Sequence, residues 1–278
     1  MSIFRLHKNS IPITFDKKLK MTAIQKFKEL HEQDEPLLIG NVWNVQSAKV
    51  YEKLGYKAIA TSSSAVAFSL GYEDGENMSF EEYFYIVERI LKSVSIPLSV
   101  DLEGGYGKTA DEIVLNISRL AKAGVVGINI EDSVIIDGTR RLLSAEDFFE
   151  KLNTIIEKLK EQNIEIFVNV RIDPFLLSVE NAVEETLQRM KIIEEVGADG
   201  IFVPCITEVQ DIEHVIHAAQ LPFSVMCMPD LPDFKTLQEL GVKRISSGNF
   251  LNGYIYNQLE TKVQEINTEQ NFSPIFIS

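Results

Sequence analysis

Cysteine is nearly missing from this chain. Cys205 and Cys227 are its only two, each in an apolar stretch. A disulfide scaffold is therefore excluded, and a reducing, cytoplasmic setting is expected. Basic residues are scarce as well: 27 Lys and Arg stand against 41 Asp and Glu, for a formal charge of −14. That balance argues against a general binder of nucleic acid or of anionic membranes. It leaves anionic small molecules open, because a metal ion or a buried arginine sets its own local field. No apolar run approaches the roughly 20 residues that span a bilayer. The first 20 residues lack the apolar centre of a signal peptide. What remains is ordinary for a folded protein: 45% of the 278 residues are hydrophobic and 24% are charged. One core can serve roughly 250 residues in an α/β barrel, and no linker or low-complexity tract interrupts the chain. Residues 1–278 are read as one domain.

A repeated phrase organises the sequence. A helical pattern ends at a Gly and a short apolar run follows, at Leu54-Gly55-Tyr56, Ala123-Gly124-Val125, Val196-Gly197-Ala198 and Leu240-Gly241-Val242. Gly just past a helix supplies the left-handed conformation at little steric cost. The apolar run suits a strand buried on both faces of a parallel sheet. Strands are expected at 37–41, 58–62, 98–101, 127–131, 166–171, 200–203, 223–226 and 244–247. Helices are expected at 47–54, 79–94, 109–123, 144–162, 179–196, 209–219, 233–240 and 251–268, with an extra one at 22–33 before the first strand. Eight strands in this alternation favour a closed (β/α)₈ TIM-type barrel over an open doubly wound sheet. Gly104-Gly105-Tyr106-Gly107 lacks both GxGxxG spacing and the Lys-Ser/Thr of a P-loop, so it reads as a βα turn rather than a nucleotide site.

In such a barrel the chemistry sits at the C-terminal ends of the strands. Those ends carry Ser62 and Ser63, then Asp101 and Glu103, then Glu131, then Arg171. Clustered carboxylates repel unless a divalent cation or a shared proton relieves them. Oxygen-only ligands in small number suit Mg²⁺, with Mn²⁺ as a substitute. Asp101, Glu103 and Glu131 are the candidate metal ligands; the bland alternative is a set of solvated loop ends. Arg171 closes a buried apolar strand and needs an anion, either Asp173 or Glu131 or a substrate carboxylate. Ser62 and Ser63 offer hydroxyls and backbone N–H groups to a carboxylate. Cys205 reads as packing rather than nucleophile, and His7, His31, His214 and His217 read as surface residues.

These residues resemble a family. Asn41-Val42-Trp43-Asn44, Ala60-Thr61-Ser62-Ser63, Gly71-Tyr72-Glu73-Asp74-Gly75, Val100-Asp101-Leu102-Glu103-Gly104-Gly105-Tyr106-Gly107, Gly127-Ile128-Asn129-Ile130-Glu131-Asp132 and Val170-Arg171-Ile172-Asp173 look, in this order, like the isocitrate lyase and phosphoenolpyruvate mutase superfamily. The resemblance implies a barrel, Mg²⁺, 2-oxo acid chemistry through an enolate-type species, and a homodimer or homotetramer that exchanges its last barrel helix. It implies Asp101, Glu103 and Glu131 at the metal and Trp43, Ser62, Ser63 and Arg171 at the substrate. It also implies catalytic roles for Arg171, Glu131 and Asp74.

Departures from the family narrow the reaction. The lyases carry a catalytic Cys in the loop after strand four, and the mutases a longer gating loop there with Lys and Asn. Ser133–Arg141 has none of these, and Pro204 stands where the mutases have His. The expectation is a Mg²⁺-dependent enzyme that breaks a C–C bond, or decarboxylates, next to a carbonyl of a small 2-oxo or 2-hydroxy acid. The alternatives are phosphonomutase-type P–C chemistry and a non-catalytic carboxylate-binding barrel.

Overall fold

The computed structural model describes residues 21–276. Eight parallel strands close into a barrel: β1 (Leu37–Val42), β2 (Ile59–Thr61), β3 (Leu98–Asp101), β4 (Gly127–Glu131), β7 (Phe167–Arg171), β8 (Gly200–Val203), β9 (Phe223–Met226) and β10 (Arg244–Ser246). Two short strands, β5 (Ser133–Ile136) and β6 (Thr139–Leu142), form a separate antiparallel hairpin between β4 and β7. The helices are α1 (Ala23–Leu30), α2 (Val45–Lys53), α3 (Ser63–Leu70), α4 (Phe80–Leu91), α5 (Ala110–Ala123), α6 (Ala145–Glu161), α7 (Ala182–Val196), α8 (Val209–Ala218), α9 (Phe234–Leu240) and α10 (Phe250–Glu269). All eight expected barrel strands are present. The hairpin and α3 stand where loops were expected.

Local sequence sets the helix ends. Thr109 accepts a hydrogen bond from the Glu112 amide, and Glu112 reaches back, a capping box that starts α5. At the other end Gly124 takes φ +108°, which releases the chain into β4. Side chains pointing outward from the strands meet the helices in one large apolar layer, including Val100, Ile128, Val170, Ile201 and Val225. Those pointing inward at the N-terminal end form a smaller cluster of Leu37, Ile39, Ala58, Ala60 and Phe167, stoppered by Phe27 of α1. Gly127 is required here, because a Cβ would lie 2.9 Å from the Phe27 ring.

His31 corrects an expectation. It is 1% exposed rather than a surface residue. Its ring stacks on Phe167 with centroids 4.4 Å apart, and its Nδ1 lies 2.8 Å from the Phe27 carbonyl oxygen. The cause is its place at the end of α1, which lies across the barrel mouth, so the residue that caps the helix also plugs the barrel. Burial, aided by the Arg244 cation, lowers its pKa to about 3. His214 and His217 are exposed as expected, and His7 lies outside the described residues.

The last helix leaves the barrel. Sixteen of the 20 residues of α10 are exposed, Leu251, Tyr254, Ile255, Leu259 and Val263 among them, and Asn252 is its one buried residue. Among the described residues, no helix is long and apolar enough to cross a membrane.

Candidate active site

A cavity of about 330 Å³ opens at the C-terminal end of the barrel. Ser62, Ser63, Asp74, Asp101 and Arg171 line it, together with Arg140, Arg244 and Pro204. Three arginines therefore face two aspartates from the cavity wall, while Glu131 and Asp173 pair with Arg140 and Arg171 from behind.

Each group is placed by its element. Asp101 ends β3, and its Oδ2 accepts a 2.8 Å hydrogen bond from the Ser63 hydroxyl. Ser62 is the N-cap of α3, its Oγ accepting from the Ala65 amide. The N-terminus of α3 thus borders the cavity, where its Ser63 amide donates to Asp101 Oδ2 at 3.4 Å and its dipole favours negative charge. Arg171 ends β7. Its Nε donates to Asp173 Oδ1 at 2.6 Å and its Nη1 lies 3.1 Å from Glu131 Oε2. Both partners proposed for this buried cation are present. Opposite charges hold its guanidinium well above the usual arginine range, against the cost of burial.

The hairpin supplies the residue that sequence reasoning missed. Arg140 on β6 reaches back over the site, donates to Glu131 and to Ser133, and pairs with Asp74 at 3.4 Å. Burial together with the neighbouring Asp101 charge raises the Asp74 carboxyl. The signal was present: Asp137-Gly138 between Val134-Ile135-Ile136 and Thr139 is a two-residue hairpin turn. Both turn residues take positive φ, +50° and +73°.

The carboxylates expected at one metal do not converge. Glu103 lies past the strand end at φ +49°, which turns its side chain away from that of Asp101. Its Oε1 accepts from the Tyr106 hydroxyl at 2.6 Å and its Oε2 from the Glu76 amide at 2.9 Å, in a second cavity behind the hairpin that also holds Lys151. Burial pushes its carboxyl up to about 8. Glu131 is held between Arg140 and Arg171. Among the described residues no three acidic, His or Cys side chains are grouped to hold a metal ion. Trp43 also stands apart, in a groove beside α2 and α10. Cys205 is free and half-buried, and burial pushes its thiol up, away from a thiolate.

The family model for phosphoenolpyruvate phosphomutase matches residues 27–267. The chain belongs to this family, within the isocitrate lyase and phosphoenolpyruvate mutase superfamily of enzymes. An uncharacterized protein of Mycobacterium tuberculosis is 32% identical over 225 residues, 80% of this chain and 81% of its own length. The 2-methylisocitrate lyase of Salmonella typhimurium is 28% identical, covering 71% of this chain and 68% of the lyase. The oxaloacetate decarboxylase of Pseudomonas fluorescens is 26% identical, over 84% and 81% respectively. The superfamily's named members include lyases and mutases, and the superfamily expected from the ordered motifs is the one found.

Proposed function

We propose that this enzyme cleaves or decarboxylates a small 2-oxo or 2-hydroxy carboxylic acid through an enolate-type species. One observation carries the reading: a cavity at the C-terminal end of the barrel where three arginines, one of them without a carboxylate partner among the described residues, and a helix N-terminus stand beside two aspartates. Relatives named 2-methylisocitrate lyase and oxaloacetate decarboxylase support the choice of bond. Ser62 and Ser63 would orient a substrate carboxylate at the α3 N-terminus. Arg171, fixed by Asp173 and Glu131, would meet the negative charge as it develops on the carbonyl oxygen. Arg140 and Asp74 would close over the substrate from the hairpin and from the loop before α4.

A divalent cation, Mg²⁺ or Mn²⁺, fits the donors in chemistry, all hard oxygens, with Asp101 as the ligand that opens on the cavity. Glu103 and Glu131 would support it from behind through water, since their own oxygens are engaged by Tyr106, Glu76 and the two arginines. When bound, the ion would polarise the substrate carbonyl. Calorimetry with Mg²⁺ on wild type and Asp101→Ala checks this, and equal binding by both proteins would remove Asp101 from the site. Two free thiols suit a cytoplasmic, reducing compartment. The exposed α10 suits a homodimer or homotetramer.

The test is turnover with Mg²⁺ of oxaloacetate, 2-methylisocitrate, substituted malates and phosphonopyruvate. Carbon products are expected from one of the first three. Pro204 lines the cavity and brings no imidazole, and the hairpin brings no Lys–Asn pair, so phosphonyl migration should be absent or very slow. Rapid formation of phosphoenolpyruvate by phosphorus NMR would replace the lyase by a mutase. No metal-dependent loss of any of these acids would favour a non-catalytic carboxylate binder.

A further inference from the structure

Arg244 is the residue that neither the motifs nor the reaction above employs. It is the first residue of β10, two before Ser246, and both side chains line the cavity. The other charged groups of the cavity sit at or beyond strand ends, whereas Arg244 enters from the start of its strand. It therefore forms part of the floor. It lies near enough to the His31 plug to disfavour a charge there, and near enough to Asp101 to be favoured by it.

Arg244 is only 3% exposed, yet it has no counter-ion among the described residues. Among the described residues no carboxylate comes within 4.0 Å of the guanidinium, and its Nη1 has no hydrogen-bond partner. Asp101 acts on it only from across the cavity, and the residue beside it in register, Ser224, is neutral with its own Oγ unpartnered. Burial lowers the Arg244 pKa to about 10, which still leaves it cationic at neutral pH. Arg140 and Arg171, by contrast, each hold two carboxylates or more. A buried charge without a partner costs stability, and a hydrophobe of similar volume is commonly neutral or stabilising in its place. Such a cation is explained by an anion that arrives with the ligand.

We propose that Arg244 is a specificity-determining anion receptor at the cavity floor, which binds one carboxylate of the substrate while the α3 N-terminus and Arg171 serve the reacting end. This rests on the carboxylate reading of the site. It makes the floor select for a second negative group, and a planar fork of N–H donors suits a carboxylate in two-point contact.

Malonate and acetate serve as probes, titrated calorimetrically into the Mg²⁺-loaded full chain, with the unfolding midpoint of the ligand-free protein measured in parallel. Wild type should bind malonate far more tightly than acetate. Arg244→Met should lose roughly tenfold to a hundredfold in malonate affinity, the range of a charge-assisted pair, with acetate little changed. Its ligand-free midpoint should not fall, since no ion pair is broken. Arg244→Lys keeps the charge and the stem but not the fork, and should fall between the two in malonate affinity. Malonate binding within twofold of wild type in both variants would overturn the assignment of Arg244 and leave the carboxylate reading standing. A wild type that binds neither probe would overturn that reading itself. A ligand-free midpoint lowered in both Arg244→Met and Arg244→Lys, with their malonate affinity intact, would make Arg244 structural.

Discussion

Glu131 and Asp173 hold Arg171 in one orientation at the end of β7, so its charge is aimed before substrate arrives. A preorganised cation of this kind acts on charge that develops in the transition state, and its removal should lower kcat far more than it raises KM. Arg171→Ala should cost about 3–4 kcal/mol, or roughly a hundredfold or more in rate. Arg171→Lys should recover part of this, because one ammonium cannot reproduce the fork. A kcat within threefold of wild type in the Ala variant would remove Arg171 from the chemistry. His31 yields a prediction of another kind. It stays neutral in the fold down to about pH 3, whereas in the unfolded chain it takes a proton near its ordinary value of 6.5. Its contribution is therefore complete above pH 6.5 and lost as the pH falls from there towards 3, a window worth roughly 3–5 kcal/mol. His31→Leu gives up the contact with the Phe27 carbonyl but also the burden of protonation. Denaturant unfolding at pH 7 and pH 4.5 should show the stability difference moving in the variant's favour as the pH falls. Parallel losses in both proteins would place the acid sensitivity elsewhere.

The hairpin is the element that turns a generic barrel end into this site, because it carries Arg140 to Glu131 and Asp74. Its seat depends on Gly75, which has φ +100° and lies so close that a Cβ would overlap the Ile135 side chain of β5. Gly75→Ala strains the backbone and pushes against the hairpin at once. The expected result is a well-folded barrel with faster tryptic cleavage at Arg140 or Arg141 and kcat lowered about tenfold or more, as for a misplaced positioning group. Unchanged proteolysis and unchanged kcat would show the hairpin to be indifferent to this contact. The same two elements mark how far the sequence could be read. The barrel strands were legible because each is a short apolar run and four of the eight are set off by a helix-ending Gly, at Gly55, Gly124, Gly197 and Gly241, a signal that lies within a few residues. The hairpin was passed over because Ser133–Arg141 was judged by the Cys, His and Lys it lacks, and not by its Asp-Gly turn. For α3, Ser63-Ser64-Ala65-Val66-Ala67-Phe68-Ser69-Leu70 has hardly any amphipathic stripe, since Ser63 is buried along with Ala65, Val66 and Ala67. Asp101 and Arg171 were legible as strand-end charges. The separation of Glu103 from Asp101 depends on one positive φ, which spacing alone does not reveal. Arg244 was invisible for a related reason: a cation at the start of a strand looks like a surface residue until the barrel closes around it.

At the scale of the molecule, the unfinished part is the last helix. In the barrel's own series an eighth helix should cover the side between β10 and β1. Instead α10 leaves Tyr254 60% and Leu259 56% exposed, and Phe272 and Phe276 continue the apolar surface beyond it. The side of the barrel it leaves is a groove lined by Trp43, Val50, Tyr51 and Tyr56, with Leu251 and Ile255 at its edge. Contiguous apolar surface of this extent is uncommon on a protein that works alone. Two copies related by a twofold axis could each lay α10 along the other's groove, burying both faces in a self-complementary contact. Sedimentation at micromolar concentration should therefore show a dimer or a tetramer. Tyr254→Glu with Leu259→Glu should give a monomer that keeps the circular dichroism of the barrel, because these side chains contribute no buried contact to their own core. Trp43, the one tryptophan of the chain, lies in the groove that the partner helix would cover. It is only 8% exposed within the single chain, so its emission should stay unchanged in the double variant and report an intact barrel. A monomeric wild type, or a double variant that sediments as wild type does, would show instead that α10 is not the surface by which the subunits meet.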